Sequence, residues 1–184
     1  MQAFIEACAR GDLCARVQIV ISNNPDAPGL QLAADAGIPV ACVNHRDYAD
    51  RESFDAALVD ALASYDVELV ILAGFMRILT PVFIARYRGS LLNIHPSLLP
   101  LYPGLNTHQR ALDAGDTEAG VTVHFVTEEL DGGPPVLQAR VPVLPGDTPA
   151  ALAERVQVQE HVIYPLAARW FLEGRLSLSG NGAE

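Results

Sequence analysis

The sequence has no long apolar run and little cysteine. No stretch among its 184 residues approaches the roughly 18–20 apolar residues that a membrane-spanning helix needs. The amino-terminal residues lack the basic region that begins a signal peptide. The 3 cysteines form no CxxC pair, so we expect reduced thiols that pack as small hydrophobic side chains. These observations predict a cytoplasmic protein.

Positive charge is also scarce. The chain has 12 Lys and Arg residues against 22 Asp and Glu residues, which gives a formal net charge of -10. Because nucleic acids and anionic membranes are recognised through local positive charge, we expect neither as a partner. A small anionic substrate stays compatible with this composition if a few cations or backbone amides converge on it.

Common catalytic and metal-binding signatures are missing as well. The chain has no Gly-x-Ser-x-Gly elbow and no Walker loop, which argues against serine hydrolases and P-loop enzymes. Four of the histidines, His45, His108, His124 and His161, show no HxxxH or HExxH spacing. We therefore expect no metal site.

Strand-like apolar segments alternate with helical patterns over the first half of the chain. The hydrophobic fraction of 50% can fill a sizeable core, and the length fits one domain. The predicted helices are residues 2–10, 30–36, 51–64 and 81–88, and the predicted strands are residues 16–21, 39–43, 67–73 and 91–94. This alternation predicts an α/β fold with a doubly wound, mostly parallel sheet.

The second half of the chain has a different pattern. Residues 121–126 and 136–143 are strand-like and follow each other closely, which predicts strands added after the parallel core, with antiparallel pairing as one option. A long helix is predicted over residues 148–173, interrupted or kinked near Pro165. Residues 177–184 are rich in glycine and serine, and we expect them to form a flexible tail.

Polar residues follow two of the predicted parallel strands, at the edge where ligands bind in open α/β sheets. Asn93 and His95 are two apart on a strand, so their side chains point to the same side. An Asn amide can donate to a developing oxyanion, and a His can move a proton near neutral pH. The alternative is a structural role, in which Asn93 and His95 simply form hydrogen bonds with neighbouring groups at a strand end.

Asp131 precedes two glycines and permits two interpretations. An aspartate in this setting often serves only the turn. Alternatively, its carboxylate holds a nearby imidazolium in the charged form. The sequence does not show whether Asp131 approaches His95.

Six segments occur in an order that is far more specific than any one of them. They are Ala-Gly-Phe-Met-Arg-Ile-Leu (73–79), Leu-Leu-Asn-Ile-His-Pro-Ser-Leu-Leu-Pro (91–100), Tyr-Pro-Gly-Leu-Asn-Thr-His (102–108), Val-Thr-Val-His-Phe-Val (121–126), Leu-Asp-Gly-Gly-Pro (130–134) and Gln-Glu-His-Val-Ile-Tyr-Pro (159–165). Over nearly the whole chain they resemble the phosphoribosylglycinamide formyltransferases. The resemblance implies transfer of a formyl group from 10-formyltetrahydrofolate to glycinamide ribonucleotide in purine (IMP) biosynthesis, by a monomer or homodimer and without a metal.

The resemblance also implies roles for particular residues. The catalytic residues would be Asn93, His95 and Asp131. The folate contacts would be Arg51, Met76, Arg77, Ile78, Leu79, Asn93, Thr127, Glu128, Glu129, Leu130 and Asp131, and the ribonucleotide contacts Pro96, Gln157 and Glu160. Without the family, Met76, Ile78 and Leu79 would be ordinary core and Arg51 a surface residue. Gln157 and Glu160 would then form a solvated helix face.

The chain departs from the family at its beginning. Family members start with a strand and a phosphate-wrapping loop, and Met1 falls where that loop joins the helix of residues 2–10. The resemblance implies that two neighbouring strands lose a pairing partner and that ribonucleotide binding weakens. We hypothesise that the natural start lies upstream of Met1.

Two alternatives to this function stay open from the sequence. One is a related folate enzyme, either formyltetrahydrofolate deformylase or methionyl-tRNA formyltransferase, although the low positive charge argues against a tRNA substrate. The other is a folate-binding remnant without activity, against which the intact set of Asn93, His95 and Asp131 argues.

Overall fold

The computed structural model of the chain describes residues 1–179 and 182–183. The helices are α1 (Gln2–Arg10), α2 (Pro28–Asp35), α3 (Arg51–Leu62), α4 (Pro81–Arg86), α5 (Thr107–Asp113) and α6 (Pro149–Leu172), with a 3-10 turn at His45–Asp47. The strands are β1 (Val20–Ser22), β2 (Val40–Cys42), β3 (Val70–Leu72), β4 (Leu91–His95), β5 (Glu118–Phe125), β6 (Pro135–Pro142), β7 (Leu178–Ser179) and β8 (Gly182–Ala183). Within the described residues, no helix is both long and apolar enough to cross a membrane.

The predicted α/β fold is confirmed, with parallel strands first and antiparallel strands added after them. β1 pairs with β2 in parallel, and β3 pairs with β4 in parallel. β5 then pairs antiparallel with both β4 and β6, so the four strands lie in the order β3-β4-β5-β6. Among the described residues the parallel part is divided, because β1 and β2 form a sheet of their own.

Most predicted elements occur within a few residues of their predicted bounds, but three differ. The first predicted strand, residues 16–21, is reduced to Val20–Ser22, since it pairs along only one edge. Helix α5 was not predicted, because the Tyr-Pro-Gly-Leu-Asn run before it is typical of a loop. The predicted tail contains the short β7–β8 pair, while residues 180, 181 and 184 lie outside the described residues.

Of the two predictions at Pro165, the interruption of the long helix is wrong, and the kink stays a prediction. α6 runs without a break from Pro149 to Leu172. Proline removes one backbone hydrogen bond from a helix interior, but the neighbouring Tyr164 and Ala167 are buried in the core. The Tyr164 hydroxyl also donates to the carbonyls of Leu72 and Leu92, both at 2.8 Å. These tertiary contacts offset the local cost of the proline.

Two apolar clusters lie beside the sheets. The main core joins α1 and α6 to the faces of β4, β5 and β6. The second cluster joins α3 and α4 to the strands that precede β5. A buried carboxylate connects these two helices, because Asp55 on α3 accepts hydrogen bonds from the backbone N–H and the hydroxyl of Thr80, the N-cap of α4.

Candidate active site

The candidate site lies where β4 and β5 present polar side chains on one face. The register of these antiparallel strands places Asn93 opposite His124 and His95 opposite Thr122. Opposite residues in such a pair lie on the same face of the sheet, as do residues two apart along one strand. The sheet therefore brings four polar side chains together within a mostly apolar surrounding.

His95 is held between two acceptors. Its Nε2 donates to the carbonyl oxygen of Tyr102 at 2.9 Å, and its Nδ1 lies 3.4 Å from Oδ2 of Asp131. The side chains of His95 and Asp131 are only 7% and 8% exposed. Because both neighbours can only accept hydrogen bonds, this geometry can hold the ring with a proton on each nitrogen.

The Asp-Gly-Gly turn delivers Asp131 to this position. Asp131 adopts a left-handed backbone conformation with φ of 52°, and its Oδ2 accepts from the Gly104 N–H at 2.8 Å. A Cβ at Gly133 would collide with the carbonyl oxygen of Phe125, so only glycine lets the turn pack this closely on β5. The structure thus brings together the Asp131 and His95 side chains that the sequence could not connect.

Asn93 is oriented by His124. The Asn93 side-chain amide lies 3.2 Å from His124 Nε2, and His124 Nδ1 lies 2.9 Å from the carbonyl oxygen of Phe125. Burial lowers the pKa of His124 most strongly, although the hydrogen bond to Phe125 and the charge of Asp131 act to raise it. A neutral ring with its proton on Nδ1 fits both contacts, because Nε2 then accepts from Asn93.

This assignment has two consequences. His124 Nε2 is also 3.8 Å from Asp131 Oδ1, but a neutral ring makes no ion pair at that distance. The amide group of Asn93 has two hydrogens, and only one is directed at His124. The second is free to donate to a ligand beside His95.

The loop that contains Tyr102 supplies the carbonyl that accepts from His95 Nε2, and three side chains hold this loop in place. Tyr102 has φ of 55°, and its hydroxyl donates to Asp116 Oδ2 at 2.7 Å. Arg110 lies over the Tyr102 ring, with 5.2 Å between Cζ and the ring centroid, and donates to the carbonyl of Pro103 at 2.6 Å. We name Tyr102, Arg110 and Asp116 the Tyr102 clamp, since together they position the Tyr102 carbonyl.

Thr122 anchors the start of the same loop. Its hydroxyl donates to the carbonyl of Ser97 at 2.7 Å and accepts from the backbone N–H of Leu99 at 3.0 Å. The side chain of Gln138 on β6 donates both to Thr122 and to the carbonyl of Leu99. The fully buried Thr122 thereby ties the loop to β5 and β6.

Sequence reasoning missed the parts played by Thr122, His124 and the Tyr102 clamp. A signal for the first two was present, because Thr122 and His124 alternate with valines in an otherwise apolar strand. Polar residues on the core face of a strand indicate that the strand serves something besides packing. The clamp left no comparable pattern, since it depends on the path of a loop.

Apart from Asn93 on β4, the residues expected to contact the folate lie in two loops and at one helix start. Met76, Ile78 and Leu130 expose 80%, 50% and 53% of their surface, which is unusual for large apolar side chains. Leu79 instead packs in the second cluster. Arg51 is the exposed first residue of α3.

The remaining expected folate contacts are polar. The guanidinium of Arg77 lies over the ring of Phe54, with 5.3 Å between Cζ and the centroid. Thr127, Glu128 and Glu129 lie in the loop between β5 and Asp131, with both glutamates exposed.

The residues expected to contact the ribonucleotide lie directly after β4 and on α6. Pro96 directly follows His95 at the end of β4. Burial raises the pKa of Glu160, and the charges of His161, the amino terminus and His95 act in the opposite direction. Glu160 is half-buried on α6, whereas Gln157, one turn earlier, is exposed.

This arrangement suits general acid–base chemistry on a carbonyl. An imidazole between two acceptors can give or take a proton, and the neighbouring amide can donate to an oxygen that gains charge. Within the part of the chain that the structure describes, no group of three or more His, Cys, Asp or Glu residues could hold a metal ion.

Sequence comparison extends these observations. Residues 1–168 match the model of the formyl transferase family. The chain is 51% identical over 183 residues to phosphoribosylglycinamide formyltransferase of Escherichia coli (strain K12), covering 100% of this chain and 86% of that protein. It is also 45% identical over 182 residues to the human trifunctional purine biosynthetic protein adenosine-3, covering 99% of this chain and 18% of that protein.

Solved structures agree with this relationship. Glycinamide ribonucleotide transformylase 1 from Symbiobacterium toebii superposes with a TM-score of 0.97 at 46% identity, covering 100% of this chain and 86% of that one. Phosphoribosylglycinamide formyltransferase from Coxiella burnetii gives a TM-score of 0.93 at 46% identity, covering 99% of this chain and 86% of that one. The resemblance expected from the sequence is confirmed, and this chain belongs to the formyl transferase family.

Proposed function

We propose that the chain transfers the formyl group of 10-formyltetrahydrofolate to the primary amine of glycinamide ribonucleotide, a step of purine (IMP) biosynthesis. The observation that carries the proposal is the convergence of Asn93, His95 and Asp131 beside the end of β4. The names of the relatives support the same reaction, and no metal takes part in the proposed chemistry.

The first step is attack of the substrate amine on the formyl carbon, which places negative charge on the formyl oxygen. The free amide hydrogen of Asn93 donates to this oxygen. Of the two ring nitrogens of His95, Nδ1 has the longer contact, 3.4 Å against 2.9 Å for Nε2. We therefore assign the proton transfer to Nδ1, the less firmly held nitrogen, while Nε2 stays on the Tyr102 carbonyl.

The second step is departure of the folate. The attacking nitrogen loses a proton and the folate nitrogen gains one, so the proton count balances. His95 carries this proton, directly or through an ordered water, and Asp131 stabilises the ring while it is charged. Asp131 thus acts on His95, and Asn93 acts on the oxygen.

The two substrates approach from different sides of His95. The exposed apolar side chains of Met76, Ile78 and Leu130 provide walls for a flat, largely apolar ring system. Arg51, Arg77, Leu79 and Thr127–Glu129 complete the proposed folate set. Pro96, Gln157 and Glu160 are proposed to contact the ribonucleotide.

A product assay tests this function. The purified chain is incubated with both substrates, and formylated ribonucleotide and free formate are quantified by mass spectrometry. We expect formylated ribonucleotide, with formate only at background level, and no product from Asp131→Asn. The control Asp113→Asn changes an exposed carboxylate on α5 and should keep full activity.

Two results would contradict the proposal. Formate release without formylated ribonucleotide would indicate a deformylase. Folate binding without either product would indicate a remnant that lacks activity. The relatives named above are transformylases, which favours the proposed reaction over both. The cytoplasmic location and the monomer or homodimer state stay predictions.

A further inference from the structure

Asp55 is a buried acidic residue on α3 that the proposed chemistry does not use, and only 1% of its surface is exposed. Seven polar or charged side chains are buried among the described residues. Five of them belong to β4, β5 or the chain between these strands: His95, Ser97, Thr107, Thr122 and His124. The other two are Asp55 and Thr80, which bond to each other. They form a buried polar contact apart from the candidate active site.

The hydrogen bonds of this pair hold the beginning of α4 against α3. One carboxyl oxygen, Oδ2 of Asp55, accepts from the backbone N–H of Thr80 and from its hydroxyl, the latter at 2.8 Å. Thr80 is the N-cap of α4, but its side chain makes no capping hydrogen bond to that helix. A threonine at an N-cap usually bonds to the helix that it precedes. The Thr80 side chain instead joins two helices.

Stability alone does not account for a buried carboxyl group at this position. Moving such a group out of water costs free energy, which its hydrogen bonds in the fold offset. Replacing both partners of a buried hydrogen bond by apolar groups of the same shape is often nearly neutral or stabilising. The neighbouring Phe54 and Leu58 already belong to an apolar cluster. The contact is therefore better suited to fixing the relative position of two elements than to adding stability.

The segment that ends at Thr80 carries part of the proposed folate wall. Residues 73–79 connect β3 to Thr80 and form neither helix nor strand. Among the described residues, their backbone makes no hydrogen bond to another backbone group. The exposed side chains of Met76 and Ile78 belong to this segment. Without backbone hydrogen bonds of its own, the segment takes its path from its two ends and from side-chain contacts.

Two further contacts tie the same segment to the helical layer. Arg77 lies over the ring of Phe54, the residue before Asp55, with 5.3 Å between Cζ and the ring centroid. Leu79 is buried in the second cluster, to which α3 and α4 contribute. Consecutive residues of α3 thus hold the segment at Arg77 and at Thr80.

We propose that Asp55 is a positioning residue for the folate subsite: through Thr80 it sets the position of Met76–Leu79 and thereby the affinity for the folate, without touching either substrate. This inference rests on the proposed function, since it takes Met76–Leu79 as part of the folate wall. The proposed ribonucleotide contacts lie after β4 and on α6, and β4 and β5 hold the reacting groups. Loss of the contact between Asp55 and Thr80 should therefore weaken folate binding selectively.

Variants of Thr80 test this contact with little change in volume. Thr80→Val replaces the hydroxyl by a methyl group, so Asp55 keeps only the bond from the backbone N–H. Thr80→Ser keeps the hydroxyl and is the matched control. KM for each substrate and kcat are measured from the formation of formylated ribonucleotide. We expect Thr80→Val to raise KM for the folate about fivefold at constant kcat, and Thr80→Ser to match the unaltered chain.

Removal of the carboxyl group should have a larger effect. Asp55→Ala should raise KM for the folate more than about tenfold and leave KM for the ribonucleotide unchanged. This variant also loses stability, because the buried Thr80 N–H is left without its acceptor. Leu62→Ala, two turns further along α3 and in the same cluster, controls for that loss. It should lower the midpoint of thermal unfolding but keep KM for the folate.

Direct binding separates this inference from the proposed function. Tetrahydrofolate, the product that keeps the pterin but carries no formyl group, is titrated into the full chain and its variants by isothermal calorimetry. Binding is then measured without turnover. Weaker binding to Thr80→Val than to Thr80→Ser supports the positioning role even if the unaltered chain transfers no formyl group. If Asp55→Ala fails to fold, the two Thr80 variants still decide.

Several outcomes would overturn the inference. Equal KM and Kd for the folate in Thr80→Val and Thr80→Ser would show that the contact serves only the fold, while formyl transfer would stand. Equal rises in KM for both substrates, or a fall in kcat alone, would show a general loosening of the site. The same folate KM in Leu62→Ala as in Asp55→Ala would show that lost stability is sufficient. No binding of tetrahydrofolate to the unaltered chain would remove the folate subsite, and the proposed function with it.

Discussion

Two regions of the molecule differ in how fully their strands are paired and buried. The site region runs from β3 to β6, and the N-terminal region consists of β1, β2 and α2. In the site region the two central strands, β4 and β5, are each paired on both edges. The side chains at the centre of these strands include several that are fully buried. In the N-terminal region each strand has three residues and is at most half-buried. The reacting groups therefore lie on the better-supported part of the chain.

This difference shows how a site can be preorganised even where the sheet around it is divided. The polar groups at the end of β4 depend on the register between β4 and β5, and on the Asp-Gly-Gly turn packed against β5. Neither depends on β1 or β2. Changes in the two regions should therefore separate loss of activity from loss of stability, and the following predictions test that separation.

Among the variants that compare the two regions, the largest expected effect is on activity, from Asn93→Ala in the site region. Removing one donor to a developing oxyanion lowers kcat by about 10²–10³-fold in other acyl-transfer enzymes. We expect a similar fall, with nearly unchanged thermal unfolding, because Asn93 is only half-buried. The matched control Asn24→Ala alters an exposed turn residue before α2 and should keep kcat. Equal losses in both variants would break the comparison.

The next effect concerns stability and compares one strand from each region. Leu92 on β4 is 0% exposed and Val40 on β2 is 42% exposed. Leu92→Ala should lower the free energy of unfolding by about 2–5 kcal/mol, because it leaves a cavity in the main core. Val40→Ala should change it by less than about 0.5 kcal/mol. Urea titration followed by circular dichroism measures both, and a large effect of Val40→Ala would show a tighter N-terminal region than its burial indicates.

The sequence predicted the site region well where local pattern decides. Asn93 and His95 occur at a strand end as expected, and the strands after residue 118 are antiparallel additions to a parallel core. The partner of Asn93 could not be predicted, because it depends on which residue of β5 lies opposite. Register is set by the packing of whole strands, and a slip of one residue would turn His124 to the other face.

Loop geometry marks the second limit of prediction. The Tyr102 carbonyl reaches His95 because Tyr102 adopts a left-handed conformation that non-glycine residues seldom take. No local pattern in the sequence predicts this conformation. Of the clamp residues, Arg110 lies on α5 and Asp116 follows it, and α5 itself was not predicted. In the N-terminal region, β1 is shorter than predicted because apolar sequence alone does not supply a second pairing partner.

The third effect concerns the Tyr102 clamp. It separates residues that position His95 from residues that act on the substrates, both within the site region. Tyr102→Phe removes the hydrogen bond to Asp116, of a kind that contributes about 0.5–1.5 kcal/mol. We expect kcat to fall about fivefold while KM stays constant, because Tyr102 positions His95 and is not placed against either substrate.

Variants of the partner residue separate positioning from general damage. Asp116→Asn keeps an oxygen acceptor for the Tyr102 hydroxyl and should stay close to the unaltered chain. Asp116→Ala removes the acceptor and should resemble Tyr102→Phe. The control Tyr65→Phe changes a tyrosine far from β4 in the chain and should have no effect on kcat. A rise in KM with constant kcat would contradict the positioning role.

The smallest expected effect is a pH dependence at the outer edge of the site region. Arg155 on α6 donates to Asp147 through both of its terminal nitrogens, at 2.7 and 2.9 Å, and to the carbonyl of Pro142 at the end of β6. The hydrogen bond from Arg155 lowers the pKa of Asp147 to about 2, and the backbone N–H of Leu144 contributes in the same direction.

The direction of the effect follows from this shift. A folded-state pKa below the unfolded value of about 3.9 means that the pair stabilises the fold above that value. This stabilisation is lost as the pH falls from about 4 toward 2, where the carboxylate takes up a proton in the folded state as well. Urea unfolding of the unaltered chain and of Arg155→Gln should therefore differ most at pH 6, and the gap should narrow as the pH is lowered toward 2. A gap that stays constant would show that Arg155 acts through its contact with Pro142 and through packing, rather than through the charge of Asp147.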